Sequence, residues 1–249
     1  MKRLLTCLVL VCAPALALAS AGGEHGGYWQ LANNDVGNTA SLQRGANYFV
    51  NYCMGCHSLQ YVRYSSLLED LGITETQLQE YLMYTADKST AMMTNAMPPH
   101  DAERWFGITP PDLTLTARAR GTDWIYNYLR AFYLDESRPT GMNNLVLPNA
   151  SMPHVLAELQ GYQVAHFRAE QDAQGNIHEV FEGFETVVPG KLSAAQYDEV
   201  VRDIVNFLDY ASEPVQIERR NVGIGVLTFL LVFFLFAYFL KREFWKDIH

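Results

Sequence analysis

The sequence is poor in positive charge and in cysteine. Its 249 residues include 18 Lys and Arg against 27 Asp and Glu, a net charge of −9 at pH 7. A protein that tracks nucleic-acid phosphates needs a basic surface, so this balance excludes DNA and RNA as ligands. Charged residues make up only 18% and apolar residues 49%. This composition excludes a disordered chain, which combines low hydrophobicity with high charge.

The N-terminus has the pattern of a secretory signal peptide. Lys2 and Arg3 precede a short apolar stretch, which ends in small residues at Ala17-Leu18-Ala19. A charged start, a short apolar segment and an A-x-A site are the features that signal peptidase requires. We therefore predict that residues 1–21 are cleaved; an uncleaved N-terminal helix is the alternative.

A second apolar run, residues 222–240, has the length of a membrane span. It contains no charged residue and no proline, and at 1.5 Å per residue it reaches about 28 Å, close to the hydrocarbon thickness of a bilayer. A buried core helix would need apolar contacts on every side. We predict a C-terminal transmembrane helix. With the signal peptide, this places residues 22–221 outside the membrane and residues 241–249 in the cytoplasm.

The exported segment is strongly acidic. Residues 22–221 contain 13 Lys and Arg against 25 Asp and Glu, a net charge of −12. Opposite net charges speed the encounter of two proteins, so this charge favours a basic partner. Solubility alone is the other explanation, and composition does not separate the two.

Two cysteines of the exported segment form a haem-attachment motif. Cys53 and Cys56 are followed directly by His57 in a C-x-x-C-H pattern. Thiols at this spacing can each bond to one vinyl group of the same haem, which leaves the adjacent histidine beneath the iron as an axial ligand. A redox C-x-x-C pair or half of a zinc site are the alternatives. The surrounding sequence lacks the βαβ pattern of the first and the further cysteines of the second.

The second axial ligand of the iron is left open by spacing. A thioether raises the haem potential and a second imidazole lowers it. Met97 and Met152 match best, because each is followed by a proline that stiffens its loop. The full set of candidates is Met83, Met92, Met93, Met97, Met142, Met152, His100, His154, His166 and His178.

Helical patterns on both sides of the motif predict a mainly α fold. Gly45 and Phe49 resemble the N-terminal helix contact of the class I cytochrome c fold, in which a glycine allows the last helix to cross closely. Ser193 and Gln196 form a capping box before the last helix. An apolar stripe follows at helical spacing: Tyr197, Val200, Val201, Ile204 and Leu208. We predict a class I cytochrome c-like haem domain with insertions.

One insertion has the pattern of a β-hairpin. Residues 161–188 contain alternating apolar and polar positions on either side of a turn at residues 172–176. His166 and His178 lie in these strands, where we expect both to face solvent.

Five motifs in this order resemble the cytochrome c1 family, the haem subunit of the cytochrome bc1 complex, in its proteobacterial form. They are Cys53–His57, Pro110-Pro111-Asp112-Leu113, Arg118-Ala119-Arg120-Gly121, the segment from Pro148 to His154, and the tail from Leu240 to His249.

The resemblance implies roles for individual residues around one covalently bound haem c. The family's axial methionine corresponds to Met152, which leaves Met97 as a packing residue. Arg120 corresponds to the arginine that pairs with a haem propionate, and Pro111 and Trp124 to residues that pack against the porphyrin. The chain departs from the family pattern at Trp105-Phe106, so its contacts there are not inferred from the family.

The resemblance also implies a function and partners. The chain is expected to work with cytochrome b and the Rieske iron–sulfur protein, to accept one electron from the latter, and to pass it to a soluble, basic c-type cytochrome. A stand-alone membrane-anchored cytochrome that serves a terminal oxidase or reductase is the first alternative. A peroxidase with an open iron and a haem chaperone are the others.

Overall fold

A computed structural model describes residues 28–171 and 175–247. The predicted signal peptide lies outside the described residues, as do part of the predicted hairpin turn and the last two residues of the tail. The described chain divides into two units. The larger contains residues 30–166 and 184–247, and the smaller contains residues 28–29 and the described part of 167–183.

The described residues form a mainly α-helical fold, as the sequence predicts, with three two-stranded sheets. The helices are α1 Thr39–Tyr48, α2 Tyr64–Asp70, α3 Glu75–Tyr81, α4 Pro99–Phe106, α5 Thr116–Arg120, α6 Thr122–Arg130, α7 Ala157–Gln160, α8 Ala194–Ser212 and α9 Gln216–Phe244. A π-helical turn, Phe49–Cys53, follows α1 directly. The strands are β1 Leu59–Arg63, β2 Met92–Met93, β3 Phe132–Leu134, β4 Met142–Asn144, β5 Gly161–Gln171 and β6 Ile177–Pro189.

The core is centred on the crossing of α1 and α8. A Cβ atom on Gly45 would lie 2.0 Å from the carbonyl oxygen of Asp203 and 2.8 Å from the Cβ of Phe207. Only glycine allows two helix backbones to approach this closely. The rings of Phe49 and Phe207 are both fully buried beside this crossing, with centroids 5.7 Å apart. The helix contact that the sequence predicts is confirmed.

A polar network joins the same two helices. The buried carboxylate of Asp203 accepts hydrogen bonds from Ser41 Oγ at 2.6 Å and from Arg44 Nε and Nη2 at 2.6 and 2.9 Å. Asn206 Nδ2 donates to Ser41 Oγ at 3.0 Å. A buried carboxylate is stable only when charge and hydrogen bonds compensate its lost hydration. These bonds therefore set the register of α1 on α8.

The last helix of the haem domain begins and packs as its sequence predicts. Ser193 accepts a hydrogen bond from the backbone N–H of Gln196, and the Gln196 side chain accepts from the backbone N–H of Ser193. The five residues of the predicted stripe are all buried. Helix α8 ends at Ser212, two residues before Pro214, and α9 begins at Gln216.

The short β3–β4 pair returns the chain onto α6. Phe132 lies opposite Asn144, and Leu134 lies opposite Met142. This register places the segment that follows β4, which contains Met152, next to the helix that precedes β3.

The predicted hairpin is confirmed by the pairing of β5 with β6. Within the larger unit, Gly161 has a φ of +91°, and a Cβ there would lie 2.2 Å from the carbonyl oxygen of Val188, so glycine is required at the hairpin base. His166 is exposed and lies 2.9 Å from a carboxylate oxygen of Glu185. Within the smaller unit, the rings of Phe167 and Phe181 pack edge to face at 5.9 Å.

Helix α9 contains the predicted membrane span. Its 29 residues, Gln216–Phe244, are long and apolar enough to cross a bilayer, and no residue of its most apolar window is buried against the protein. The helix extends beyond the 222–240 run at both ends because the flanking basic residues are also good helix formers.

We predict that Gly45→Ala destabilises the protein. Alanine favours a helix by about 1 kcal/mol over glycine, but its methyl group would overlap the Asp203 carbonyl. Overpacking of this kind costs about 1–3 kcal/mol. Urea unfolding of the full-length chain in detergent measures the change.

Gly183→Ala, in strand β6, is the control for steric overlap, because a Cβ there meets nothing within 4 Å. We expect it to change the free energy of unfolding by no more than about 0.5 kcal/mol. Equal effects of the two substitutions would contradict the close helix crossing.

Candidate haem site

The attachment loop begins in the π-helical turn that follows α1. Backbone hydrogen bonds join Met54 N to Phe49 O at 2.9 Å, and both Cys56 N and His57 N to Cys53 O at 3.1 and 2.9 Å. Cys53 is the last residue of this turn, so Cys53, Cys56 and His57 lie on one tightly wound segment. The sequence did not predict the π-helical geometry, which often marks functional sites.

The two thiols are free and are poorly suited to redox chemistry. Burial, together with the neighbouring Cys56, raises the pKa of Cys53 to about 12. Burial also raises the pKa of Cys56. Reactive cysteines of redox C-x-x-C sites have lowered pKa values. The electrostatics of the loop therefore oppose the redox alternative and leave both thiols protonated.

His57 is oriented by the backbone of the Pro110–Asp112 segment. Its Nδ1–H donates to the carbonyl oxygen of Pro111 at 2.7 Å. This bond assigns the proton to Nδ1 and leaves the Nε2 lone pair available to a metal. Burial lowers the pKa of His57, which also favours the neutral ring. The carboxylate of Asp112 accepts from Gln60 N at 2.8 Å and Thr114 N at 2.9 Å, so the segment is itself fixed.

The resemblance assigns the Pro111 side chain to the porphyrin, but the structure gives this residue a further contact that sequence reasoning missed. Its carbonyl group orients His57 across 54 positions of sequence. Side-chain patterns cannot indicate a backbone acceptor. In the sequence, this segment was singled out only by its Pro-Pro motif.

Met97 lies beside the attachment loop. Asn95 Nδ2 donates to the carbonyl oxygen of Cys56, and Asn95 N donates to Ser58 Oγ at 2.9 Å. Met97 lines a pocket of about 240 Å³ together with Cys56, Pro110 and Asp112. Met97 therefore lies near the Pro110–Asp112 segment, which orients His57.

Met152 belongs to a second cluster, built on α5 and α6. Its Sδ accepts a hydrogen bond from the Tyr128 hydroxyl at 3.4 Å. The rings of Tyr128 and Trp124 stack with centroids 5.0 Å apart and an interplanar angle of 8°. The Arg120 guanidinium lies 4.9 Å from the centre of the Trp124 ring. The structure therefore brings together Arg120, Trp124 and Met152.

Tyr128 connects this cluster to the core. Its ring packs edge to face on Phe132 at 5.2 Å, and the His154 ring stacks on Phe132 at 5.1 Å. Burial raises the pKa of Tyr128 to about 12, so its hydroxyl remains a hydrogen-bond donor at neutral pH. Burial lowers the pKa of His154 to about 4, so this ring is uncharged and packs as an aromatic residue.

Asn144 holds the chain between Tyr128 and Met152. Its side chain is fully buried. It donates to the carbonyl oxygen of Tyr128 at 2.8 Å and accepts from the backbone N–H groups of Val146 at 2.9 Å and Leu147 at 3.1 Å. Sequence reasoning missed both Tyr128 and Asn144. The sequence feature that could have indicated Asn144 is an asparagine pair directly before an apolar run.

Comparisons with known proteins identify relatives along most of the chain. The model of the cytochrome C1 family matches residues 34–248. The chain is 49% identical to cytochrome c1 of Allochromatium vinosum over the whole of both chains. It is 42% identical to a protein of Nitrosomonas europaea named ammonia monooxygenase gamma subunit, over 86% of each chain. It is 27% identical to the mitochondrial cytochrome b-c1 complex catalytic subunit of Candida albicans, over 84% of this chain and 72% of the relative.

We predict that Asn144→Ala destabilises the segment that contains Met152. The substitution leaves one backbone carbonyl and two N–H groups without their partner, and each buried unsatisfied group costs about 1–3 kcal/mol. The midpoint of urea unfolding of the full-length chain in detergent measures the loss.

Asn51→Ala is the control. Asn51 is exposed and makes a single side-chain bond, to the carbonyl oxygen of Asn47 at 2.8 Å, so its loss should change stability by no more than about 0.5 kcal/mol. An Asn144 variant as stable as this control would show that the amide does not anchor the segment.

Proposed function

The chain belongs to the cytochrome c1 family, and we propose that it is the haem subunit of a quinol–cytochrome c oxidoreductase, the cytochrome bc1 complex. In this role it accepts one electron from the Rieske iron–sulfur protein and passes it to a soluble c-type cytochrome. The observation that carries the proposal is the 49% identity to a cytochrome c1 over the full length of both chains. The aligned region covers the attachment loop, the Met152 cluster and the membrane helix.

The residues of the site fit the covalently bound haem c of this family. The partly buried loop offers two free thiols, at Cys53 and Cys56, and an imidazole whose Nδ1 already donates a hydrogen bond. We assign the two cysteines to the thioether bonds and His57 Nε2 to the iron. When bound, haem c supplies a one-electron Fe(III)/Fe(II) couple.

We assign the second axial position to Met152 and not to Met97. Met97 shares a pocket with Pro110 and Asp112, which flank the residue that orients His57. A second axial ligand must approach the iron from the face opposite the first. Met152 contacts a different set of residues, built on α5 and α6, and this separation from the His57 segment supports the assignment. Held by both His57 and Met152, the iron would have no position free for substrate or water, which would oppose a peroxidase.

The remaining predicted site residues would contact the edge and faces of the haem. We propose that Arg120 pairs with a propionate, because a guanidinium is the preferred partner of a carboxylate. Its position over the Trp124 ring supports this role by limiting its motion. Trp124 and the ring of Pro111 would pack against the porphyrin and exclude water, which helps to set the potential.

We further propose that the protein is a single-pass component of a bacterial inner membrane. Helix α9 is the anchor, supported by its length and composition. The predicted signal peptide at residues 1–21 directs the haem domain to the periplasm and leaves the C-terminus in the cytoplasm. In the periplasm, the two cysteines would react with haem away from the reducing conditions of the cytoplasm.

Affinity purification of the full-length chain from detergent-solubilised membranes tests the function. We expect a haem that stays attached under denaturation, together with a cytochrome b, a Rieske protein and quinol-dependent reduction of cytochrome c. The same haem eluting alone would favour a stand-alone cytochrome. Co-elution with an ammonia monooxygenase would instead favour the role that the name of the Nitrosomonas europaea relative describes. Release of the haem on denaturation would favour a chaperone.

The acidic charge of the haem domain predicts a salt-dependent reaction with the acceptor. Residues 22–221 have a net charge of −12, and the Debye length falls from about 30 Å at 0.01 M salt to about 8 Å at 0.15 M. We expect stopped-flow electron transfer to a basic cytochrome c to slow by about tenfold or more over this range.

Ferricyanide, a small anionic oxidant, is the control for this measurement. Because it is repelled by the acidic surface, its rate should rise as salt increases. A rate with basic cytochrome c that is insensitive to salt would contradict electrostatic docking.

A further inference from the structure

We propose that Tyr128 is a positioning residue for the iron ligand, whose hydroxyl donates a hydrogen bond to the Met152 thioether and thereby raises the haem potential. This inference rests on the proposed function, because it takes Met152 as the axial ligand. Tyr128 lies outside every motif that identified the family, and the contact becomes visible only when the chain is folded.

The donor is held in place on three sides. Its hydroxyl lies 3.4 Å from Met152 Sδ. Trp124 stacks on one face of its ring at 5.0 Å, and Phe132 packs against it edge to face at 5.2 Å. Asn144 fixes its backbone carbonyl and, with the same side chain, the turn that leads to Met152. Donor and acceptor are therefore parts of one packed unit, and the bond does not depend on a mobile side chain.

A thioether sulfur can serve the iron and the hydroxyl together. It has two lone pairs, of which one can bind a metal while the other accepts a weak hydrogen bond. A hydrogen bond to a ligand atom withdraws electron density from it and fixes its orientation. The oxidised iron, which needs that density more than the reduced iron does, is then stabilised less. The bond from Tyr128 should therefore favour the reduced state.

The chain contains a matched contact that separates this effect from a general loss of a tyrosine hydroxyl. The Tyr64 hydroxyl also lies 3.4 Å from a methionine sulfur, but this sulfur belongs to Met54; the same hydroxyl lies 3.1 Å from Thr85 Oγ1. Met54 lies between the two attachment cysteines, too close to His57 in sequence to reach the opposite face of the haem. Tyr64→Phe therefore removes the same kind of bond from a methionine that does not bind the iron.

Redox titration of the full-length chain in detergent, followed at its c-type haem band, tests the proposal. For Tyr128→Phe, which keeps the ring and its stacking, we expect the equilibrium constant for reduction to fall severalfold but less than tenfold. A tenfold change corresponds to 59 mV for one electron. The Met-to-iron charge-transfer band of the oxidised protein should persist but shift. Tyr64→Phe should leave both the potential and the band unchanged.

Two outcomes of this titration would overturn the inference. The first is an unchanged potential in Tyr128→Phe. The second is a fall only in Tyr128→Leu, which also removes the ring, because the residue would then act through packing alone.

Met152→Leu and Met97→Leu distinguish these failures from a failure of the proposed ligand. If Met152→Leu abolishes the charge-transfer band and Tyr128→Phe has no effect, Met152 is the ligand and the hydrogen bond is unimportant. If the band survives in Met152→Leu and is lost in Met97→Leu, the ligand assignment is wrong and the role of Tyr128 falls with it.

Discussion

The crossing of α1 over α8 at Gly45 is the contact on which the rest of the structure depends. Helix α1 continues into the π-helical turn that ends at Cys53, and α8 is followed after a three-residue break by the membrane helix α9. The close approach of the two backbones, together with the Asp203 network, therefore fixes the haem-attachment loop relative to the start of the anchor. An electron carrier that works between membrane and soluble partners needs this fixed relation.

The two proposed iron ligands are each supported by a contact from distant sequence. His57 is oriented by the carbonyl oxygen of Pro111, and Met152 by the hydroxyl of Tyr128. Both supports belong to buried or hydrogen-bonded segments, so little reorganisation should accompany a change of one charge at the iron. Preorganised dipoles of this kind lower the cost of moving charge in a low-dielectric site. The reactivity of a haem held by these residues would thus depend on side chains and backbone groups that contact its ligands but not the iron.

Local patterns predicted much of the fold and part of the site. The capping box at Ser193, the stripe on α8 and Gly45 are all encoded within a few residues, and each is confirmed. The C-x-x-C-H motif is equally local. Tyr128, Asn144 and the carbonyl of Pro111 were missed because each has a partner that lies 16–54 positions away in the sequence. Such contacts are created by the β3–β4 return and the Pro110–Asp112 segment, and periodicity does not encode them.

X-ray absorption at the iron edge of the purified oxidised protein tests the central claim most directly. The claim is that His57 and a methionine close the two axial faces of the haem. It predicts that the nearest neighbours of the iron are five nitrogen atoms and one sulfur atom. Four of the nitrogen atoms belong to the porphyrin and one to His57. Six nitrogen atoms would indicate a second histidine, and five ligands alone would indicate an open iron. Either result would contradict the account.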